Sequence, residues 1–233
     1  MLENIEERVL FGELNTKVSY SSMLIHSLSH ELFTPINHLV GSAEKLELLC
    51  SRLDVENVKK SEVEALSEEA KLLFQTAQCL TIFVQNILDF GKFMNRSLQV
   101  ECQTIYLRAE IADLLGLFSV KLKRKRLKLE LNCEEFIIES DKDKIRGLLF
   151  IFVENSIKYT NKGIITVNIK KGRSYKFIRF EIIDTGIGID DDDMDKITMI
   201  LKNPFEDIKT TGAAGIGIGL RIAQILLIHL SRG

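Results

Sequence analysis

Asp184-Thr185-Gly186-Ile187-Gly188-Ile189 follows directly on Phe177 to Asp184, an apolar run with strand chemistry. A strand therefore empties into a glycine turn. Glycines let backbone turn tightly and let a ligand come close to the main chain. Asp184, at the strand end, is placed to accept a hydrogen bond from an exocyclic amine. Taken alone, the turn is equally compatible with any tight loop.

Reading outward from this turn gives the rest of a mixed α/β half. Upstream, Ile164 to Ile169 is a second strand, joined to the first by a turn. Asp141 to Lys158 carries apolar residues at helical spacing. Leu127 to Leu131 alternates Leu-Lys-Leu-Glu-Leu, the pattern of a half-buried strand. Leu107 to about Lys123 reads as one helix, and Val100 to Tyr106 as a short strand. Downstream, a loop-rich stretch from Gly186 to about Gly215 leads into a last helix, about Ile216 to His229. The pattern predicts an α+β sandwich with helices on one face of a sheet.

Residues 1 to about 96 have a different style. From Leu66 the apolar or small positions are 66, 70, 73, 77, 80, 84, 87 and 91, alternating steps of four and three. That is the spacing of a bundle seam. An earlier stripe runs through Leu24, Leu28, Leu32, Ile36, Leu39 and Leu46, and the polar stretch Ser51 to Ser61 separates the two. Two helices cannot bury both stripes alone. A four-helix bundle formed by a homodimer solves this; packing against the second half of the same chain is the other solution. The expected domains are 1–96 and 100–233, with Arg96 to Val100 as the hinge.

Composition excludes several classes. The chain has 233 residues, 45% apolar and 27% charged, which is the mix of a soluble globular protein of one or two domains. A net charge of −2 gives no sign of nucleic-acid binding. The basic run Lys121 to Lys128 reads as a helix end followed by a strand, with cations favoured at the helix C-terminus. The four cysteines are dispersed, so neither a zinc site nor a disulfide framework is suggested. Reduced thiols and a cytoplasmic setting are expected. No run of about 18 apolar residues encodes a membrane contact.

Three more stretches carry chemistry. Ser29-His30-Glu31-Leu32-Phe33-Thr34-Pro35 places His30 on the face opposite the first apolar stripe, beside the Glu31 carboxylate. An exposed imidazole with a neighbouring carboxylate can act as nucleophile or acid/base. Thr34 lies one turn on, and Pro35 removes a backbone donor and is expected to kink the helix. Glu154-Asn155-Ser156-Ile157-Lys158-Tyr159 offers Asn155, whose amide oxygen is a hard ligand suited to Mg²⁺ carrying a triphosphate, with Lys158 on the same helix face. Gly215-Ile216-Gly217-Ile218-Gly219-Leu220 opens a helix, where free N–H groups can meet phosphate. Its spacing matches neither a P-loop nor the dinucleotide fingerprint.

Occurring in this order on these elements, the four stretches resemble the catalytic core of the sensor histidine kinases. Residues 15–96 resemble the dimerisation and histidine-phosphotransfer domain, and those from about 100 the Bergerat-fold ATP-binding domain. The resemblance implies that His30 is the phosphoacceptor, that Glu31 orients or deprotonates it, and that Thr34 positions water in phosphatase action. It implies that Asn155 is the Mg²⁺ ligand, that Lys158 and Tyr159 line the ATP pocket, and that Asp184 reads adenine beside Gly186 and Gly188. Phe205 resembles the phenylalanine box, and Asp190 to Ala214 the ATP lid, closed by Gly215, Gly217 and Gly219 with Leu220 behind them. The implied partners are a second copy of the chain and the receiver domain of a response regulator.

Four departures qualify the match. Phe33 stands where the family has Arg or Lys, Ile151 where a polar Asn is usual, and Lys202 where a first lid phenylalanine is common. The chain also stops at Gly233, before the two strands that usually follow the last helix, which reads as C-terminal truncation. Phe33, Ile151 and the missing strands motivate one alternative, a catalytically impaired dimeric scaffold; a second is a phosphatase-biased member acting through Thr34.

Overall fold

The computed structural model describes residues 32–53, 59–172, 177–202 and 218–231. Helix α1 covers residues 32–51 of the described chain and runs through Pro35 without a break. Helix α2 is Lys60–Met94, begun by the Lys59 N–H donating to the Glu62 carboxylate at 3.0 Å. Then come β1 Cys102–Tyr106, α3 Leu107–Gly116, α4 Ser119–Lys125, β2 Leu127–Cys133, β3 Ile137–Asp141 and α5 Lys142–Tyr159. The order ends with β4 Gly163–Lys171, β5 Ile178–Asp184, α6 Asp191–Lys202 and α7 Ile218–Leu230. A helical part is thus followed by an α/β sheet part, an α+β fold as the sequence predicts.

The strands form two sheets. β1 pairs antiparallel with β3, Thr104 opposite Glu139. β4 is central in the other, parallel to β2 (Leu127 opposite Gly163) and antiparallel to β5 (Ile165 opposite Asp184). Ile165, Val167 and Ile169 of β4 are fully buried, the period of two expected where one face is covered. Lys128, Glu130 and Asn132 of β2 turn outward. The covering layer is helical: Leu107, Ile111 and Leu114 of α3, Val153 and Ile157 of α5, and Ile222, Ile225 and Leu226 of α7 join one core. Each fully buried Leu or Ile contributes roughly 1.5–3 kcal/mol.

Three expectations need correction. The single helix expected over Leu107 to Lys123 is two, because Gly116 ends α3 and the chain turns at Leu117 and Phe118, both buried. The stretch after Gly186, read as loop, holds α6; the Asp190 carboxylate accepts from the Asp193 N–H at 2.8 Å, and three acidic residues favour its first turn. Strand β3 was not foreseen. It ends at Asp141, which caps α5 by accepting from the Lys144 N–H at 3.1 Å.

Helix α2 has a second interface that the seam spacing did not reveal. Its buried residues are Glu69, Gln75, Asn86, Asp89 and Phe90, none of them a seam position. Phe90 joins the core of the sheet half, with Cys79, Ile82, Phe83, Phe93 and Met94 packed against it. The other four residues are polar and all are tied. Gln75 donates to the Gly116 carbonyl and the Ser119 hydroxyl, both at 2.8 Å. Asn86 donates to the Gly147 carbonyl at 3.2 Å, and Asp89 pairs with Lys144 at 2.9 Å. Glu69 binds Lys45 of α1 at 2.5 Å and Arg124 of α4 at 2.8 Å, joining three helices. Burial pushes the Glu69 carboxyl up, but hydrogen bonds from Lys45, Arg124 and Ser42 outweigh it and hold it below the usual range.

Candidate functional site

The site assembles where α5 ends and β5 runs out. The C-terminal turn of α5 carries Asn155, Ser156, Lys158 and Tyr159. That turn leaves carbonyls without helical partners. The Lys125 ammonium takes three of them, Ile157 at 2.5 Å, Lys158 at 3.3 Å and Thr160 at 3.1 Å, and so fixes the end of the helix. The basic run read from sequence as a helix end thus supports the site from behind.

β5 delivers Asp184 to the same place. One carboxylate oxygen accepts from the Gly186 N–H at 2.9 Å, and the other from the Ser156 hydroxyl at 3.2 Å. The turn after Asp184 is pressed against α5: the Ile187 N–H donates to the Tyr159 carbonyl at 3.2 Å. A side chain at 186 would put its Cβ 2.7 Å from that carbonyl oxygen and 2.8 Å from the Asp184 carboxylate, so only glycine fits. Gly188 has φ +76°, the left-handed region that glycine enters without strain. The glycine spacing in the sequence therefore has two separate causes, close approach at 186 and backbone conformation at 188.

Asn155 is half-buried, and its carboxamide has no hydrogen-bond partner among the described residues. Lys158 is exposed, with its ammonium 5.2 Å above the Tyr159 ring, a cation–π contact. Gly219 and Leu220 lie in the first turn of α7, which packs on α5; a Cβ at Gly219 would meet Ile151 at 3.4 Å. Ile151 is itself 6% exposed, so this residue serves the α5–α7 core. Thr34 sits on the exposed surface of α1. His30, Glu31, Phe205, Gly215 and Gly217 lie outside the described residues.

Two residues of the site escaped the sequence reading. Ser156 was visible only as a member of the Asn155 stretch, and its bond to Asp184 spans 28 positions. Thr160 is completely buried and its hydroxyl has no partner, yet it lies 3.0 Å from where a Cβ on Gly186 would be. Unpaired buried hydroxyls are rare, and no local pattern marked this one.

Comparison with known proteins places this geometry. Residues 140–233 match the model of the histidine kinase-, DNA gyrase B-, and HSP90-like ATPases. That segment contains Asn155, Asp184, Gly186, Gly188, Gly219 and Leu220. The chain is 28% identical over 227 residues to the aerobic respiration control sensor protein ArcB of Escherichia coli strain K12, covering 96% of this chain. It is 27% identical over 220 residues to the sensor histidine kinase AtsR of Burkholderia thailandensis, covering 91%. The chain is similar to the catalytic cores of sensor histidine kinases. It spans 28% of the length of ArcB and 34% of AtsR. Its fold is shared with the Acinetobacter baumannii histidine kinase AdeS, at TM-score 0.50 and 19% identity over 86% of each chain.

The residues of the matched segment suit the ATPase family that it resembles. Asp184 offers a fixed acceptor for a base amine. Asn155 offers an oxygen of the kind Mg²⁺ takes, one helical turn from the Lys158 cation. No three His, Cys, Asp or Glu side chains among the described residues are grouped to hold a metal by themselves. Among the described residues no helix is long and apolar enough to cross a membrane.

Proposed function

We propose that this core binds Mg-ATP, phosphorylates His30 and passes the phosphoryl group to an aspartate of a response-regulator receiver. The observation that carries the reading is the joining of Asp184 to the α5 end through Ser156, which ties that carboxylate to the helix carrying Asn155. Phosphoryl transfer depends on positioning and charge neutralisation rather than on covalent work by the protein. Asp184, with Gly186 and Gly188, holds the base. Lys158 and Tyr159 line the nucleotide pocket, the glycine stretch Gly215, Gly217, Gly219 and Leu220 meets the phosphates, and Phe205 serves as the phenylalanine box. Mg²⁺, held by Asn155, would supply charge neutralisation at the triphosphate.

His30 supplies the nucleophile. An imidazole nitrogen attacks the γ-phosphorus, a P–N bond forms, the bond to the bridging oxygen breaks, and ADP leaves. Glu31 takes or steers the imidazole proton. Receiver aspartate attack on the phosphohistidine then breaks the P–N bond and regenerates the imidazole. Thr34, exposed on α1, is the residue that would position water for dephosphorylating the receiver.

A homodimer is the proposed assembly, with 1–96 as the dimerisation domain and 100–233 as the ATP-binding domain. Phe33, Ile36 and Val40 of α1 and Val63, Phe74 and Leu88 of α2 are exposed. A second copy would cover these side chains, which the contact of α2 with the sheet half leaves open. No observation favours the impaired-scaffold or phosphatase-biased alternatives.

The test is incubation with γ-labelled ATP and Mg²⁺ beside His30→Gln. Acid-labile, alkali-stable label is expected in the parent and none in the variant. A folded parent that takes up no label would overturn the kinase reading.

A further inference from the structure

We infer that Ser156 is a positioning residue that gives the nucleotide site its preference for a purine bearing a 6-amino group. The inference rests on the reading of Asp184 as the base acceptor and deepens it. Ser156 is 6% exposed and belongs to α5, whereas Asp184 closes β5. Among the described residues each Asp184 oxygen has one donor: the Gly186 N–H at 2.9 Å and the Ser156 hydroxyl at 3.2 Å.

These two donors do different work. Gly186 is two residues from Asp184, so its N–H holds the carboxylate only to its own turn. Ser156 ties that carboxylate to the helix that carries Asn155. The terminal torsion of an aspartate is broad and roughly two-fold. A single local donor would let the group swing, and the second donor fixes its plane. A carboxylate has about four acceptor positions, and two are used. The free ones are directed by the plane that Ser156 fixes.

Plane matters because a carboxylate by itself does not separate purines. It accepts from the 6-amino group of adenine as readily as from the N1–H and 2-amino group of guanine. Discrimination requires that the acceptor stand at one place relative to the phosphates. On the proposed reading those are placed through Asn155, on the same helix. Ser156 joins the two reference points, and so converts a general acceptor into one addressed to the 6-position. A hydroxyl-to-carboxylate bond is charge-assisted, the stronger kind of hydrogen bond.

The experiment compares binding of ADP and of purine riboside 5′-diphosphate, which lacks only the exocyclic amine, to the full chain. Parent, Ser156→Ala and Asp184→Asn are titrated side by side, and their melting temperatures without nucleotide are recorded. The parent is expected to favour ADP by roughly tenfold or more, the size of a hydrogen bond to a charged group. Ser156→Ala should cut that preference several-fold, while its affinity for the deaminated analogue and its melting temperature stay near those of the parent. Equal weakening of both ligands would show a merely structural role and overturn the inference. So would an unchanged preference in Ser156→Ala with the preference lost in Asp184→Asn, which leaves the base reading intact. A parent that binds both ligands alike would overturn the base reading itself, and the inference with it.

Discussion

Replacing Gly147 by alanine tests the seating of α2 on α5 through the sign of its effect. In an exposed helix interior, glycine to alanine stabilises by about 1 kcal/mol. Here the new Cβ would stand 2.1 Å from Oδ1 of Asn86, 3.0 Å from its Cγ and 3.3 Å from its Nδ2. Asn86 is 2% exposed, so its carboxamide has no solvent to move into. Either it swings and loses its 3.2 Å bond to the Gly147 carbonyl, or α2 lifts from α5. Overpacking costs about 1–3 kcal/mol, and the lost bond about 0.5–1.5 kcal/mol. Set against the propensity gain, the net is destabilisation of about 0.5–3.5 kcal/mol. Gly147→Ala should lower the urea midpoint, and Asn86→Ala in the same chain should recover part of the loss.

Cys79 supplies a local readout of the same event. Burial, with a further contribution from the Glu154 carboxylate, pushes its thiol up to about 12 from an ordinary 9.0. Its reactive thiolate is therefore about a thousandfold scarcer than that of a free thiol. In a Cys50→Ser, Cys102→Ser background, which removes the two exposed thiols, Gly147→Ala should speed Cys79 labelling at pH 8 strongly. A variant with a raised urea midpoint and an unchanged labelling rate would refute the docking of α2 on α5.

Two further outcomes follow from the same contacts. The Glu69 carboxyl is held below its ordinary 4.5, so it contributes stability above that pH and loses it as pH falls through the folded-state value. Glu69→Gln should flatten stability against pH in the acid range, and cost about 1–3 kcal/mol near neutrality, as Lys45 and Arg124 are half-exposed and rehydrate. Asn155→Ala should leave ADP binding without Mg²⁺ near the parent value and abolish its enhancement by Mg²⁺, measured by calorimetry with and without a chelator; retained enhancement would remove Asn155 from the metal site.

What the sequence by itself determined was whatever depends on neighbours along the chain. Alternation marked β2, helical spacing marked α2 and α5, and the glycines after Asp184 marked the turn. These are local signals, because backbone conformation and one-sided burial repeat with the period of the element. The resemblance to a histidine kinase core rested on something else local, the stretches around His30, Asn155, Asp184 and Gly215 in that order. The tertiary structure decided what depends on residues far apart. β3 is five residues long and is recognisable through its pairing with β1, 35 positions away at Thr104 and Glu139. The polar side chains of α2 look like a solvated surface until Gly147, Lys144, Gly116 and Arg124 arrive from the sheet half to partner them. Ser156 reads as one more helix residue, and only the approach of β5 to α5 makes it a donor to Asp184. A side chain's chemistry is written in the sequence, but its partner across the fold is set by packing.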